Sequence, residues 1–441
     1  MGLRTNYLLN NAFIVMTKRL LTIITGALCL LCSPVAAQDD FCVGGDISVL
    51  QSYEDNNVAY YDEQGTRIEN VLQFLKSEAV GWNALRVRLF VDPQRKNPQG
   101  GTDAQVCQDL DYVVRLAKRI KSEGFKFMLD FHYSDTWADP SNQWTPAAWA
   151  SLSNADLQQK VYDYTKECLE ALVEADAAPD YIQTGNEISY GMLWGKYGDS
   201  NPKKCYSNSP AANWTRFVAL LEQAVKACRE VCPDAQVVIH TERSGDASAL
   251  KFIYDKLATI DYDVIGLSYY PFWHGSLTKL SQSLNQLEAQ YPMKKVQIVE
   301  TAYYYQWQPA ASSSFTDYSK TWAVSAEGQA AYIRDLIAEL KQHANVNGLY
   351  WWFPEENGNG PSSKVLTDWV NRGLWDNTSH RAMQGIYELK AFLPTATGLE
   401  NVTVTSVNRD QHWYTLQGIQ LDSRPQRRGL YITGGRKVFV K

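Results

Sequence analysis

Two glutamates stand at the ends of predicted strands, where carboxylates can do acid–base chemistry. Glu187 ends the stretch TGNE, and Glu300 ends the stretch VQIVE. A single glutamate in such a position is as often half of a structural salt bridge, but two in equivalent positions favour a shared function. Paired carboxyl groups about 5–5.5 Å apart hydrolyse glycosidic bonds with retention, one as proton donor and the other as nucleophile. The pair therefore predicts a retaining glycosidase centre.

Neighbouring residues suggest a separate role for each glutamate. Asn186 precedes Glu187, and its amide can hydrogen-bond a sugar 2-hydroxyl beside the nucleophile, so we assign Glu187 as the acid/base. Glu300 is then the nucleophile. The acid needs a raised pKa and the nucleophile must stay ionised. Arg86 and Arg88 project to one face of their strand, and Arg86 is the first choice for keeping Glu300 charged.

Further polar residues end other predicted strands. His132, His240 and Tyr269 follow the third, fifth and sixth apolar runs. Each alone is more often a satisfied buried polar residue than a functional one. Because active sites of α/β barrels lie at the carboxyl ends of the strands, their shared placement predicts that they contact Glu300 or the bound sugar.

Eight runs rich in β-branched and aromatic residues alternate with longer amphipathic stretches, which is typical of repeated βα units. Helical spacing is clear at 68–79, 110–122 and 329–341, and a final helix is expected at 382–393. We predict a (β/α)8 TIM barrel with a small C-terminal β-rich appendage. The predicted strands are 43–49, 84–90, 126–131, 181–186, 236–240, 263–269, 296–301 and 348–353.

The predicted organisation is a signal peptide at 1–37, a catalytic barrel at 38–397 and a β-rich segment at 398–441. Lys18 and Arg19 precede the apolar run 20–31, which is too short to span a bilayer. We therefore expect an exported protein that is extracellular, periplasmic or at the cell surface. A lipid anchor at Cys32 is the alternative, which the residues before it disfavour.

The amino-acid composition limits the classes of binding partner that we expect. The formal net charge is −6 with no basic tract, so nucleic acid is not an expected partner. The 14 tryptophans and 26 tyrosines suit stacking on sugar faces as well as core packing. Six cysteines follow the predicted signal peptide and have no histidine nearby for zinc, which leaves buried thiols or one or two disulfides. We expect a monomer.

Several longer motifs occur in order along the chain, and they resemble the arabinogalactan endo-β-1,4-galactanases of glycoside hydrolase family 53. The resemblance implies retaining, double-displacement cleavage of β-1,4-galactan, the chain of type I arabinogalactan and pectic side chains, to galacto-oligosaccharides. It extends over about 44–393. The motifs are GGDISVLQSYEDNNVAYYDEQG (44–65), LDFHYSDTWADP (129–140), QTGNEISYGMLW (183–194), DVIGLSYYPFWHGSL (263–277), IVETAYY (298–304) and SAEGQ (325–329).

The same resemblance implies roles for particular residues. Asn186, Glu187 and Glu300 take the catalytic positions. Arg86, His132, His240 and Tyr269 line the central subsite. Aromatic residues hold sugars away from the cut, and because side chains alternate along a strand, only one of Trp351 and Trp352 can face the cleft. The aromatic candidates are Trp137, Trp194, Trp273, Trp307, Trp351, Trp352 and Trp375.

Two segments depart from the family pattern. The segment WQPAASSSFTD (307–317) lacks the oxygen ligands of the calcium loop that bacterial relatives often carry, so we expect no metal and no cofactor. WWFPEENGNG (351–360) replaces the usual Trp-Glu-Pro, which leaves the distal sugar contacts open. Its acidic and amide side chains could form a loose calcium site, but we expect a solvated loop. These side chains are Glu355, Glu356, Asn357 and Asn359.

Two alternatives remain. A clan relative such as a β-mannanase or cellulase would share the barrel and both glutamates, although the motifs at 133–140 and 269–275 argue against it. A non-catalytic glycan-binding protein could also keep the barrel, but the presence of Asn186 with both glutamates argues against lost catalysis.

Overall fold

The computed structural model describes most of the predicted barrel and parts of the C-terminal segment. The predicted signal peptide at 1–37 lies outside the described residues. Internal contacts divide the chain into two units, one up to Pro394 and one from Thr395, whereas the sequence placed the boundary after Thr397. The described residues are 40–97, 100–103, 105–310, 312, 314–360, 369–394, 413–414, 420–421, 423, 425–426, 429–433 and 436–440.

Eight parallel strands close into a barrel, which confirms the predicted fold. Each strand pairs with its neighbours in sequence, and the first strand pairs with both the second and the eighth. The predicted bounds differ from the observed ones by a few residues, mainly at the ends near the site. The strands are β1 (Cys42–Asp46), β2 (Ala84–Leu89), β3 (Lys126–Phe131), β4 (Tyr181–Thr184), β5 (Gln236–Thr241), β6 (Val264–Ser268), β7 (Lys295–Thr301) and β8 (Val346–Trp352).

Helices alternate with these strands and several begin at a side-chain cap. Asp109, Ser153 and Ser325 each accept a hydrogen bond from a backbone N–H of the first helical turn, which satisfies donors that the helix itself leaves unpaired. The helices are α1 (Leu50–Asp55), α2 (Val71–Lys76), α3 (Leu110–Ser122), α4 (Asn154–Glu174), α5 (Ala211–Val231), α6 (Ala247–Lys256), α7 (Pro271–His274), α8 (Leu277–Gln290), α9 (Ala326–Leu340) and α10 (Gln384–Glu388).

The barrel interior changes character along the strands. One part of the interior is filled by an apolar cluster that includes Met128, Val238, Val264 and Val299. Farther along the strands, alternate positions carry buried polar side chains. Because all eight strands run in the same direction, these polar groups lie together at the carboxyl end of the barrel. They include Asp46, Arg86, Asp130, Gln183, His240, Ser268 and Glu300.

The six cysteines of this part of the chain are free thiols, so the structure favours thiols over disulfides. Five of them are buried and Cys107 is partly buried. No helix within the described ranges is long and apolar enough to cross a membrane.

The C-terminal unit contains a four-stranded antiparallel sheet, in agreement with the β-rich prediction. Its strands are β9 (Trp413–Tyr414), β10 (Gln420–Leu421), β11 (Gly429–Thr433) and β12 (Arg436–Val440). In the sheet β9 lies between β10 and β11, and β12 pairs with β11.

Candidate active site

A cavity of about 520 Å³ opens at the carboxyl end of the barrel and contains both predicted catalytic glutamates. Glu187 follows β4, which ends at Thr184, and Glu300 lies in β7. Most of the other lining groups come from the segments that follow β3, β5, β6 and β8. Besides Glu187 and Glu300, the lining includes His132, Trp137, Asp139, Asn186, Glu242, Tyr270, Trp273, His274, Trp352 and Trp369.

One serine hydroxyl lies between the two carboxyl groups. Ser268 Oγ is 2.6 Å from Glu187 Oε1 and 3.4 Å from Glu300 Oε2, so these two oxygens are at most about 6 Å apart. Retaining glycosidases hold their carboxyl groups about 5–5.5 Å apart, whereas inverting ones leave about 6.5–9.5 Å for a water molecule. The spacing therefore fits retention.

The backbone at the end of β4 directs Glu187 into the cavity. Gly185 has φ +101°, and Glu187 itself is left-handed at φ +49°. A non-glycine residue in this region is strained and persists where surrounding structure holds it, often at functional sites. Gln143 Nε2 donates to Asn186 O at 2.6 Å and so anchors this turn from the segment after β3.

Glu300 accepts hydrogen bonds from two fixed donors. Arg86 Nη2 lies 3.0 Å from its Oε1, and the Tyr270 hydroxyl donates to its Oε2 at 2.9 Å. Burial, reinforced by the charge of Glu300, raises the pKa of Tyr270 well above its usual value, so this hydroxyl remains a donor. Both contacts favour the carboxylate form of Glu300.

Arg86 is fixed from several directions at the centre of the barrel mouth. Its guanidinium pairs with Asp46 at 2.7 Å and with Asp130 at 2.8 Å, and it donates to Asn186 Oδ1 at 2.8 Å. Burial alone would raise the pKa of Asp130, but Arg86 and then His132 bring it below its usual value. Arg86 therefore faces Glu300 as a permanent, immobilised cation.

The two carboxyl groups differ in their environment. Burial raises the pKa of Glu187 well above its usual range, and the nearby charge of Glu300 raises it further. Burial also raises the pKa of Glu300, to about 7, but the Arg86 guanidinium opposes this shift. Among the described residues, the charges that act most strongly on Glu187 are carboxylates, which raise its pKa instead. The first proton lost from the pair therefore leaves Glu300, which is the order that an acid and a nucleophile require.

The structure brings most of the predicted site residues together. His132, Trp137, Asn186, Trp273 and Trp352 line the cavity beside the two glutamates. Arg86 and His240 are fully buried beneath them, and each contacts a residue of the lining.

The prediction for Tyr269 was wrong. Its side chain is fully buried away from the cavity, and its hydroxyl donates to Gly275 O at 2.9 Å. Tyr270 contacts Glu300 instead. Side chains alternate along β6, so Ser268 and Tyr270 share the inward parity and Tyr269 points into the layer between strands and helices.

Three tryptophans predicted to bind sugars belong to the core instead. Trp194, Trp351 and Trp375 are all fully buried, and their indole N–H groups donate to Tyr190 O, Arg372 O and Tyr61 O respectively. The expected alternation holds for the pair on β8, with Trp352 in the cavity and Trp351 behind it. Trp307 is exposed and is not part of the cavity lining.

The sequence also missed residues that the cavity contains. Glu242 follows β5 two positions after His240, and Trp369 lies in the long segment after β8. Burial raises the pKa of Glu242 to about 7, and the Ser189 hydroxyl donates to its carboxylate. Glu242 could have been predicted, because alternate positions along a strand face the same side and Glu242 is two residues after His240. No sequence pattern near Trp369 predicts its place in the cavity.

The segment after β8 is not the solvated loop that we expected. Glu355, Glu356 and Asn357 are fully buried. Val49 N donates to Glu355 at 3.0 Å and the Tyr53 hydroxyl donates to Glu356 at 2.6 Å, so these carboxyls tie the segment to the start of the barrel. Among the residues that the structure describes, no cluster of three metal-ligating side chains is present. The absence of a metal or cofactor stays a prediction.

An eight-stranded parallel barrel with two such carboxyl groups at the ends of its fourth and seventh strands defines a glycoside hydrolase. The chain belongs to glycosyl hydrolase family 53, whose sequence profile matches residues 42–392.

Individual relatives agree with this assignment. The chain is 30% identical to an endo-beta-1,4-galactanase of Bacillus subtilis (strain 168), over 76% of this chain and 74% of that protein. It is 33% identical to a probable arabinogalactan endo-beta-1,4-galactanase A of Neosartorya fischeri, over 77% of this chain and 92% of that one. The solved GH53 catalytic domain of Ignisphaera aggregans superposes with a TM-score of 0.70 at 33% identity, covering 82% of this chain and 98% of that domain.

Proposed function

We propose that this protein is an exported, retaining endo-β-1,4-galactanase that hydrolyses β-1,4-galactan to galacto-oligosaccharides. The observation that carries the reaction type is the single hydroxyl of Ser268 within 3.4 Å of both carboxyl groups. The names of the relatives support galactan as the substrate. Export rests on the basic and apolar N-terminal sequence.

In the first step Glu300 attacks the anomeric carbon while Glu187 gives its proton to the glycosidic oxygen. The C–O bond breaks, the leaving chain departs as an alcohol, and a glycosyl ester forms on Glu300. In the second step Glu187, now a carboxylate, takes a proton from water, which displaces Glu300 from the sugar. Two inversions at the same carbon give net retention.

Fixed polar groups prepare the site for this sequence. Arg86 and Tyr270 stabilise Glu300 as a carboxylate before attack. Asn186 Nδ2 carries two hydrogens and donates one to Ala138 O at 2.8 Å, so the other is available to a sugar 2-hydroxyl. Because these groups are held by buried contacts, they need little reorganisation in the transition state.

Aromatic side chains supply the walls of the cleft. Trp352 packs against Trp369 with ring centroids 4.4 Å apart and against Trp137 at 6.1 Å. Trp273 is 48% exposed although it is a large apolar residue. Exposed indole faces beside a polar centre suit stacking on the apolar face of galactose.

The experiment compares galactan, cellulose and mannan as substrates for the wild-type protein and the variant Glu300→Gln. We expect reducing ends from galactan alone. Glu300→Gln should abolish turnover and leave galactan binding measurable, because it removes the nucleophile with little change in volume. Glu167→Gln, at an exposed position of helix α4 outside the cavity lining, controls for the same chemical change.

Three outcomes would contradict the proposal. Release of reducing ends from cellulose or mannan but not from galactan would assign the protein another substrate. Wild-type turnover in Glu300→Gln would remove Glu300 from the mechanism. Galactan binding without turnover in the wild type would favour the glycan-binding alternative.

A further inference from the structure

A chain of hydrogen bonds runs from His240 through Ser268 to Glu187, and the mechanism above does not use it. His240 Nε2 lies 2.8 Å from Ser268 Oγ, which lies 2.6 Å from Glu187 Oε1. His240 and Ser268 are fully buried. They lie on the adjacent strands β5 and β6, directly below the cavity, so neither is expected to touch the sugar.

Ser268 has one hydroxyl hydrogen and several neighbouring acceptors. Glu300 already receives hydrogen bonds from Arg86 and Tyr270, and its Oε2 is 3.4 Å from Ser268 Oγ. Glu187 is much closer and accepts no other side-chain hydrogen bond among the described residues. The direction of the chain therefore depends on whether His240 accepts from Ser268 or donates to it.

Burial, and then the charge of Arg86, lowers the pKa of His240 well below its usual value, so the ring is neutral and carries one N–H. In one tautomer Nε2–H donates to Ser268, and Nδ1 accepts from the Glu187 backbone N–H at 3.3 Å and from Gln183 Nε2 at 3.1 Å. In the other, Nδ1–H donates to Asn186 Oδ1 at 3.0 Å and Ser268 donates to Nε2.

The surroundings of Nδ1 favour the first tautomer. Asn186 Oδ1 already accepts hydrogen bonds from Arg86 at 2.8 Å and from Gln183 Nε2 at 3.3 Å, so it is satisfied without His240 as a further donor. The Glu187 backbone N–H, in contrast, points at Nδ1 and would lose its acceptor if that nitrogen carried the hydrogen. A buried backbone donor without a partner is costly.

We propose that Ser268 is a positioning residue whose hydroxyl, oriented by His240 Nε2–H, donates to Glu187 Oε1 and confines the catalytic proton of Glu187 to Oε2. Ser268 can donate to Glu187 whether Glu187 is protonated or ionised, because Oε1 accepts either as a carbonyl oxygen or as part of a carboxylate. In the opposite direction Glu187 would donate to Ser268, and its proton would face the barrel rather than the glycosidic oxygen. This inference rests on the proposed acid/base role of Glu187.

Other titratable groups surround the two ends of this chain of hydrogen bonds. Glu300, Glu242 and Asp139 face Glu187 and disfavour its ionised form. Asp130, His132, His274 and Arg86 surround His240. The hydrogen bond from Ser268 acts against the first set, since it favours the carboxylate of Glu187.

The first test measures the tautomer of His240 in the wild-type protein without substrate. Nitrogen NMR of protein labelled with ¹⁵N-histidine, with His240 assigned by comparison with His240→Gln, should show a protonated Nε2 and an unprotonated Nδ1. A hydrogen on Nδ1, or a doubly protonated ring at pH 7, would overturn the proposal. Because no turnover is needed, this result is independent of the proposed function.

The second test compares Ser268→Ala with Ser283→Ala, a change of the same type at a fully buried serine of helix α8 outside the site. Loss of a hydrogen bond to the carboxylate form should raise the pKa of Glu187 and move the alkaline limb of the pH–kcat profile up by about one unit. We also expect kcat to fall with KM unchanged. Ser283→Ala should leave both unchanged.

An unshifted alkaline limb with wild-type kcat in folded Ser268→Ala would refute the positioning role. Should the variant fail to fold, the tautomer of His240 in the wild type decides. An absence of galactan turnover in the wild type itself would contradict the proposed function and not the direction of the hydrogen bonds.

Discussion

Tyr270→Phe removes one hydroxyl from the cavity and leaves the ring in place. That hydroxyl donates to Glu300 Oε2 at 2.9 Å, while Arg86 continues to hold Oε1 at 3.0 Å. Because a hydrogen bond to a carboxylate stabilises its charged form, its loss raises the pKa of Glu300. The nucleophile should therefore be protonated over a wider range of acidic pH.

The size of the effect follows from the kind of hydrogen bond that is lost. A hydrogen bond to a charged group contributes about 1.5–3 kcal/mol. If most of it acts on the carboxylate, the pKa of Glu300 rises by about one to two units, since one unit corresponds to about 1.4 kcal/mol. The wild-type value is about 7. On the acidic side of that value, kcat/KM should fall by about tenfold or more, because each unit changes the ionised fraction tenfold.

The assay is kcat/KM on galactan as a function of pH, since its acid limb reports ionisation in the free enzyme. Tyr269→Phe is the matched control, because its hydroxyl donates to Gly275 O and does not reach the cavity. We expect an upward shift of the acid limb in Tyr270→Phe alone. An unchanged acid limb in Tyr270→Phe, or an equal shift in Tyr269→Phe, would refute the assigned role of Tyr270.

Three further predictions concern the aromatic wall, the buried carboxyls and the thiols. Trp351→Ala should lower the free energy of unfolding by about 3–5 kcal/mol in a urea titration, whereas Trp352→Ala should mainly raise KM for galactan; the reverse pattern would contradict their placement. Burial, and then Asp46, raises the pKa of Glu355 well above its usual value, so wild-type stability should fall as pH rises from the unfolded-state pKa towards the folded one. Glu355→Gln lacks this titration, so the Tm of the variant minus the Tm of the wild type should be larger at pH 8 than at pH 5. A difference in Tm that does not change with pH would show that Glu355 does not titrate as inferred. Under native conditions Cys168, Cys205 and Cys228 should resist a thiol reagent and react after unfolding, while unreactive thiols in the unfolded, unreduced protein would indicate disulfides.

Much of the fold could be predicted because each strand of a closed barrel is a short run of β-branched and aromatic residues in the sequence. The run 126–131 was predicted and observed with the same bounds, and Asp109 caps a helix whose predicted range 110–122 also agrees. Glu187 and Glu300 were readable for the same reason, since a charged residue at the end of an apolar strand departs from the local pattern.

Errors arose where a side chain's direction depends on a single position. Tyr269 and Tyr270 are equivalent by composition, and a register shift between β6 and β7 occurs beside them, at Leu267 and Ser268. Counting alternate positions from Val264 would have placed Ser268 inward and Tyr269 outward. Parity along β6 was therefore a better guide than residue type.

Other errors arose from contacts between distant parts of the chain. Glu355 and Glu356 have side chains typical of a surface loop, but their hydrogen-bond partners, Val49 and Tyr53, lie at the opposite end of the barrel sequence. Trp194 is enclosed by Trp144 and Lys204, which belong to two other segments. No local pattern contains such pairings.

The stereochemistry of the first product tests the central claim most directly. Proton NMR of galactan cleavage, recorded before mutarotation, reports which anomer the enzyme releases. A carboxyl pair at most about 6 Å apart, with Glu300 as nucleophile and Glu187 as acid/base, predicts the β-anomer first. Initial release of the α-anomer would mean a single displacement by water and would contradict the account.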